Sequence, residues 1–319
     1  MNPAWSVIFL TTLTGAGQGL FMAAFAAELA GYAGRGGAGW GFFATAGLVA
    51  FLFTAAGLVA SFFHLGRPER AWRAAAMWRT SWLSREVIVL PLFMAGTFFW
   101  MLGHLSAWHP IWPTLLLGAA TAAVAALLYL CTAMIYASIR FVQEWASAYT
   151  LVNYTLIGLA SGCTLAAALA GWRAPGLVEQ LGWVAFALTL LALIARALSL
   201  VRNARLVPRS TLQTAIGIRH PRIRQLAMGF MGGSFNTREF FHGRGPGALR
   251  QVKGWFVAAG FVVPALLLAL VLLVGFRSTV NQWVLTLAFA VQYLGLLAER
   301  WFFFAQARHP QNLYYQTVS

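Results

Sequence analysis

Apolar residues run along this chain in stretches too long for strands or for ordinary core helices. Eight such stretches occur, roughly 5–29, 41–63, 87–105, 113–137, 149–170, 178–198, 255–276 and 283–304. A helix rises about 1.5 Å per residue, so about 20 apolar residues cross the hydrocarbon core of a bilayer. Each stretch therefore predicts a transmembrane helix. The sixth is the weakest, with Glu179 and Arg196 near its ends. The first has no basic residue before it and is too long for a cleaved leader, so it reads as the first membrane helix. Alternation of apolar and polar positions, which a membrane barrel needs, is absent. The expected fold is all-α: one polytopic membrane bundle over residues 1–319, with about eight transmembrane helices.

Tryptophans and tyrosines gather at the edges of these runs, among them Trp5, Trp40, Trp82, Trp112, Trp145, Tyr149, Trp172, Trp255, Trp283 and Trp301. Amphipathic rings collect there because one edge prefers lipid and the other prefers headgroup water. Basic residues set the orientation. Nineteen of 22 fall on the side that holds both termini and the segments 64–86, 138–148 and 199–254. Arg196 and Arg300, read as lying at helix ends, are counted with them. Arg35, Arg173 and Arg277 fall on the other side. The positive-inside rule then places both termini in the cytoplasm of a bacterial inner membrane. Arg35, directly after the first run, opposes this locally, and the asymmetry of the whole chain outweighs it.

Composition agrees. Hydrophobic residues make up 60% of the chain and charged residues 9%, against about 25% charged in a soluble domain. The net charge of +15 would suit nucleic acid on a soluble scaffold, but here the arginines flank apolar runs. The two cysteines, Cys131 and Cys163, both lie inside such runs. They are too few for an iron–sulfur cluster, which takes about four, and no CxxC signature of zinc or c-type haem is present. Haem b needs two axial ligands at matching depth. His104 and His109 read as outer residues and His220, His242 and His309 as cytoplasmic, so none matches His64 within the membrane.

Ionisable groups at membrane helices are costly and so become functional candidates. His64 ends the second run and Glu86 begins the third, on the same side, joined by HLGRPERAWRAAAMWRTSWLSRE. A histidine and a carboxylate at the lipid boundary, among tryptophans, can hydrogen-bond a quinone carbonyl and pass protons, because imidazole titrates near neutrality. The competing reading makes His64 a helix C-terminal residue and Glu86 a water-facing N-terminal charge. Arg67 and Arg70 could stabilise negative charge on a reduced ring, or serve only topology and lipid headgroups. Thr11, Thr12, Thr14 and Gln18 form a polar stripe on the first helix, suited to interhelical hydrogen bonds or to one wall of a quinone cavity. Gly15 with Gly19, and Gly158 with Gly162, read as close-packing pairs.

A solute transporter is the competing class. Its expected marks are internal repeats and polar or broken helices at the midplane. Here the midplane offers Gln18, Ser161, Gln292, Tyr293 and Pro264, with no repeat. The glycine-rich stretch 229–255 lacks the P-loop lysine pattern. Its backbone needs water or protein partners, so it is expected to dock a soluble protein.

Four blocks, MNPAWSVIFLTTLTGAGQGLF, HLGRPERAWRA…WRTSWLSRE, GGSFNTREFFHG and ERWFFFAQARHPQNLYY, resemble the DmsC family, the membrane anchors of dimethyl-sulfoxide-reductase-type molybdoenzymes. The likeness covers nearly the whole chain. It implies a complex of three subunits, with a molybdopterin catalytic subunit, an iron–sulfur subunit with four clusters, and this anchor. The anchor would exchange electrons with ubiquinone or menaquinone and bind no haem or cluster itself. The family's quinone-associated histidine and glutamate map onto His64 and Glu86, and Arg67, Arg70 and Gln18 complete the expected site. The opening and closing blocks look closest to the branch serving cytoplasmic sulfite dehydrogenase (quinone) complexes. The dimethyl sulfoxide reductase branch would run electrons the other way, from menaquinol.

Overall fold

A computed structural model of the chain describes residues 1–32, 40–106, 112–224, 226, 242–275 and 279–313. Within them lie eight long helices: α1 (Trp5–Leu29), α2 (Trp40–Phe62), α3 (Trp82–Leu105), α4 (Trp112–Ala137), α5 (Ala148–Arg173), α6 (Val178–Ala204), α8 (Pro246–Val274) and α9 (Thr279–Ala305). All eight are long and apolar enough to cross a membrane. A 3₁₀ segment (Pro68–Met77) joins α2 to α3, and a short helix α7 (Leu212–Ile216) follows α6. No strand occurs among the described residues. The Met1 amino group donates to the Ala307 carbonyl at 3.0 Å, which brings the start of α1 and the end of α9 to one end of the bundle.

Helices extend past their apolar runs, and in α3 and α6 the extension brings a charge inside the helix. α3 starts at Trp82, where the Ser81 hydroxyl accepts from the Ser84 amide. That cap satisfies one orphan donor of the first turn, so Glu86 lies inside the helix. α6 continues to Ala204, which leaves Arg196 two turns short of the end and not at it. α8 starts at Pro246, well before the run at 255, because proline is tolerated in the first turn. Further along, Pro264 has no N–H and would crowd the carbonyl four residues back. A π turn at Ala258–Val262 absorbs that conflict, and the helix continues unbroken.

α1 and α5 form the buried centre of the bundle. Lipid tails are as apolar as leucine, so close packing and interhelical hydrogen bonds must hold membrane helices together. A Cβ at Gly19 would lie 2.2 Å from the Gly158 carbonyl oxygen, and one at Gly162 would lie 2.2 Å from the Gly19 carbonyl carbon. The two pairs of small residues therefore mark backbone-to-backbone contact. α8 and α9 meet in the same way, with a Cβ at Gly295 placed 2.1 Å from the Gly260 nitrogen in the π turn.

The polar stripe of α1 faces inward. Thr12 bonds to Tyr293 of α9 at 3.1 Å, Gln18 Nε2 donates to the Ala125 carbonyl of α4 at 2.9 Å, and Tyr129 of α4 donates to the Gly15 carbonyl at 2.8 Å.

Candidate functional site

The five residues expected at a quinone site occupy three settings. His64 lies in the turn after α2 and is exposed. Enough of the imidazole is covered for burial to hold its pKa below the ordinary histidine value. Arg67 and Arg70 are exposed too, and Arg70 makes only a loose 3.9 Å pair with Glu69. Glu86 sits one layer inward at 7% exposure and accepts a hydrogen bond from Thr132 of α4. It is not the water-facing charge that a helix start would suggest. Gln18 is fully buried between α1 and α4, with its amide nitrogen spent on Ala125. Among the described residues no hydrogen bond or ion pair joins any two of the five.

Between His64 and Glu86 the chain presents a boundary surface. No residue of Pro68–Met77 is buried, and Trp72, Met77 and Trp78 are exposed. Arginines lie over the tryptophan rings: Arg73 on Trp72 at 5.5 Å, Arg79 on Trp78 at 5.4 Å and Arg85 on Trp82 at 4.2 Å. Such pairs are worth about 0.5–1 kcal/mol each when exposed. Arg85 also donates to the carbonyls of Trp78 and Arg79 at 2.9 and 2.8 Å, which ties the segment to α3.

Two buried charge clusters are not recognised from the sequence. Glu299 of α9 lies 2.8 Å from Arg196 of α6 and accepts from its neighbour Arg300 at 2.5 Å, all three side chains being buried. Arg196 approaches off its N–H axis, so the contact is an ion pair and not a hydrogen bond. In the sequence both arginines read as orientation signals alone. The available signal was charge balance, since Glu299 and Arg196 each interrupt an apolar run and need an opposite charge. At the other end of the bundle, Glu28 of α1 accepts from Trp100 at 2.7 Å and Thr114 at 2.5 Å, and His104 lies 3.2 Å away. His104 stacks on Phe43 with ring centroids 5.0 Å apart. Glu28 and His104 each stand near the same end of a predicted helix, which was the legible hint.

The block GGSFNTREFFHG lies mostly outside the described residues, as do Arg35, His109 and Arg277. Residues 1–232 match the family described as DMSO reductase anchor subunit (DmsC). The chain belongs to the DmsC family. It is also 51% identical, over 336 aligned positions covering all of both chains, to a protein of Allochromatium vinosum named as a subunit of sulfite dehydrogenase. The DmsC match carries α1 to α6, and with them His64, Glu86 and the arginine–tryptophan segment. Glu299 and Arg300 on α9 lie beyond it, within the reach of the full-length relationship. As a DmsC protein the chain is a multi-pass membrane anchor subunit of a DMSO-reductase-type complex.

Proposed function

We propose that this anchor passes electrons between an iron–sulfur subunit with four clusters and the quinone pool, in a three-subunit molybdoenzyme that oxidises sulfite. The observation that carries the reading is the full-length relationship to a protein named as a sulfite dehydrogenase subunit. The molybdopterin subunit performs the substrate chemistry and never meets this chain's membrane interior. The excess of basic residues on the side of the termini supports a cytoplasmic docking face. On that face, exposed Trp72, Met77 and Trp78 among arginines have the character of a protein contact. We assign docking to the segments 64–86 and 199–254.

The residues fit a quinone. His64 is exposed where α2 leaves the bilayer, and its lowered pKa keeps the ring neutral, with one N–H to donate and one nitrogen to accept. Glu86 is a buried carboxylate at the same end of the bundle, with Thr132 fixing its orientation. In the proposed scheme a bound quinone supplies a two-electron acceptor. His64 holds a proton at the ring oxygen, Glu86 connects the proton route, and Arg67 and Arg70 favour negative charge at the site. Gln18 is kept as a member of this set through the α1–α4 contact it makes.

The family description, DMSO reductase anchor subunit, favours a second reading in which quinol is oxidised and a sulfoxide reduced. Purification of the complex distinguishes them. Sulfite-dependent quinone reduction by co-purifying subunits supports sulfite oxidation, quinol-dependent sulfoxide reduction supports the second reading, and solute uptake by the chain alone in liposomes would place it among transporters.

A further inference from the structure

Two cavities of about 760 Å³ each open at the end of the bundle where α1 starts and α9 ends. Ligand pockets run from about 300 to 1,000 Å³. Their chemistry differs. One is lined by Arg209, Lys253 and Arg308 against the single carboxylate Glu144, a net positive wall that suits an anion. The other lies between the start of α1, the start of α8 and the end of α9, and is walled by Trp5, Trp301, Leu294 and Leu297 with His242, Arg244 and Gln251 at its polar end. Arg244 is the single permanent cation among its described lining residues.

We infer that this second cavity seats the quinone headgroup, with His242 as the donor to one ring carbonyl. The inference rests on the quinone reading above and shifts the ring from the α2–α3 junction to this cavity, whose described lining holds none of the five residues expected there, leaving His64 the proton route. The Arg244 backbone N–H donates to His242 Nδ1 at 3.1 Å. That bond fills the Nδ1 lone pair, so the neutral ring carries its proton on Nε2. Burial first, and then the positive charges of the amino terminus and Arg244, hold the imidazole below the ordinary histidine pKa. A neutral N–H donor is what a quinone oxygen needs, and the Gln251 amide offers a second.

The apolar part of the wall fits the rest of the molecule. Trp5 and Trp301 are aromatic surfaces of the right size for a planar ring, and the ring of Trp301 stands edge-on to His242 with centroids 6.1 Å apart. Trp5 and Leu294 are 57% and 56% exposed on the outer surface of the bundle, so the cavity opens sideways as well as toward its polar end. Leu294 lies two turns deeper along α9 than Trp301, where an isoprenoid tail would run. An anionic phospholipid headgroup is a poorer occupant, since one arginine is the only fixed positive charge among the described lining residues.

His64 lies at the same level. Across the antiparallel α1–α2 pair, Gly17 approaches Ala50 and Thr54, and Gly57 approaches Leu10 and Thr14. Continuing that register at about 1.5 Å per residue brings His64 opposite roughly residues 3–7, the height of Trp5.

The test uses the intact complex and a short-tailed photoreactive azidoquinone. Adducts are expected on peptides of α1, α8 and α9 that include Trp5, 248–252 and Trp301, and excess quinone should suppress them. His242→Leu should raise the quinone KM about tenfold, the effect of one lost hydrogen bond, and His242→Gln should recover most of it. Ala298→Trp fills the cavity without touching the polar end and should abolish labelling in complexes that still co-purify all subunits. Adducts confined to the α2–α3 junction would overturn this location and leave the quinone reading standing. So would a retained phospholipid that quinone fails to displace and that Arg244→Ala releases. Absence of saturable labelling anywhere, with no quinone turnover, would sink both.

Discussion

Glu299 and Arg196 lie 2.8 Å apart on α9 and α6, both buried in the bundle. With Arg300 the cluster holds two cations against one anion. Removing one partner of a buried pair leaves an uncompensated charge, at a cost of about 3–5 kcal/mol. Glu299→Gln is therefore expected to destabilise the anchor severely. Replacing Glu299 and Arg196 together with Gln and Met should recover part of the loss. Thermal melting of the detergent-solubilised complex, with yield from membranes, measures both.

The α1–α5 seam predicts a sharper steric effect. Gly19→Ala and Gly162→Ala each push a methyl into backbone at 2.2 Å. Neither backbone can retreat without separating the helices, so each variant should cost several kcal/mol, toward the top of the range for overpacking. Gly176→Ala, with open space around its Cβ, should melt like the wild type. Equal behaviour of all three would refute backbone contact.

Removing the imidazole at the α2 boundary tests the proposed proton role. His64→Ala should slow quinone turnover by about 10²-fold, as loss of a general acid–base group does. All three subunits should still co-purify. Parallel loss of assembly and turnover would point to a structural role instead.

Acid should also act through His64. Its pKa is lowered in the folded chain, so folding disfavours the protonated ring. The stability this contributes is complete above the ordinary histidine value and is lost as pH falls through that value toward the folded one. Between about pH 7.5 and 5.5 the melting temperature of the wild type should therefore fall more than that of His64→Gln. Because the side chain is exposed, the difference will be small. Identical slopes would rule out the shift.

At the opposite end, Glu28 accepts from Trp100 and Thr114. Glu28→Ala strands the Trp100 indole N–H in the bundle, and an unsatisfied buried group costs about 1–3 kcal/mol. Glu28→Gln keeps an acceptor oxygen and should cost less. Melting of the two variants, with Trp100 fluorescence as a local probe, decides the order.

Eight membrane helices were legible in the chain because a bilayer imposes one rule on every segment, which is to hide the backbone for about 20 residues. The small-residue pairs on α1 and α5 were legible for a related reason, as only glycine permits that approach. The polar stripe on α1 was visible, and its partners Tyr293 and Ala125 were not. Helix ends were blurred, since caps such as Ser81 and a first-turn Pro246 carry helices past the apolar run.

What the sequence by itself determined is therefore the class of protein: an all-helical membrane chain whose charges are concentrated at helix ends and on one side. Only the tertiary structure decided which charges meet. Glu299 with Arg196 and Glu28 with His104 join helices that are not neighbours in the chain, and Glu86 meets Thr132 on the next helix. Pairing at that range depends on how helices rotate and pack, and no local pattern records it. The same holds for the His242 cavity, whose walls come from residues 2–5, 242–252 and 294–301 and exist only once α1, α8 and α9 are side by side.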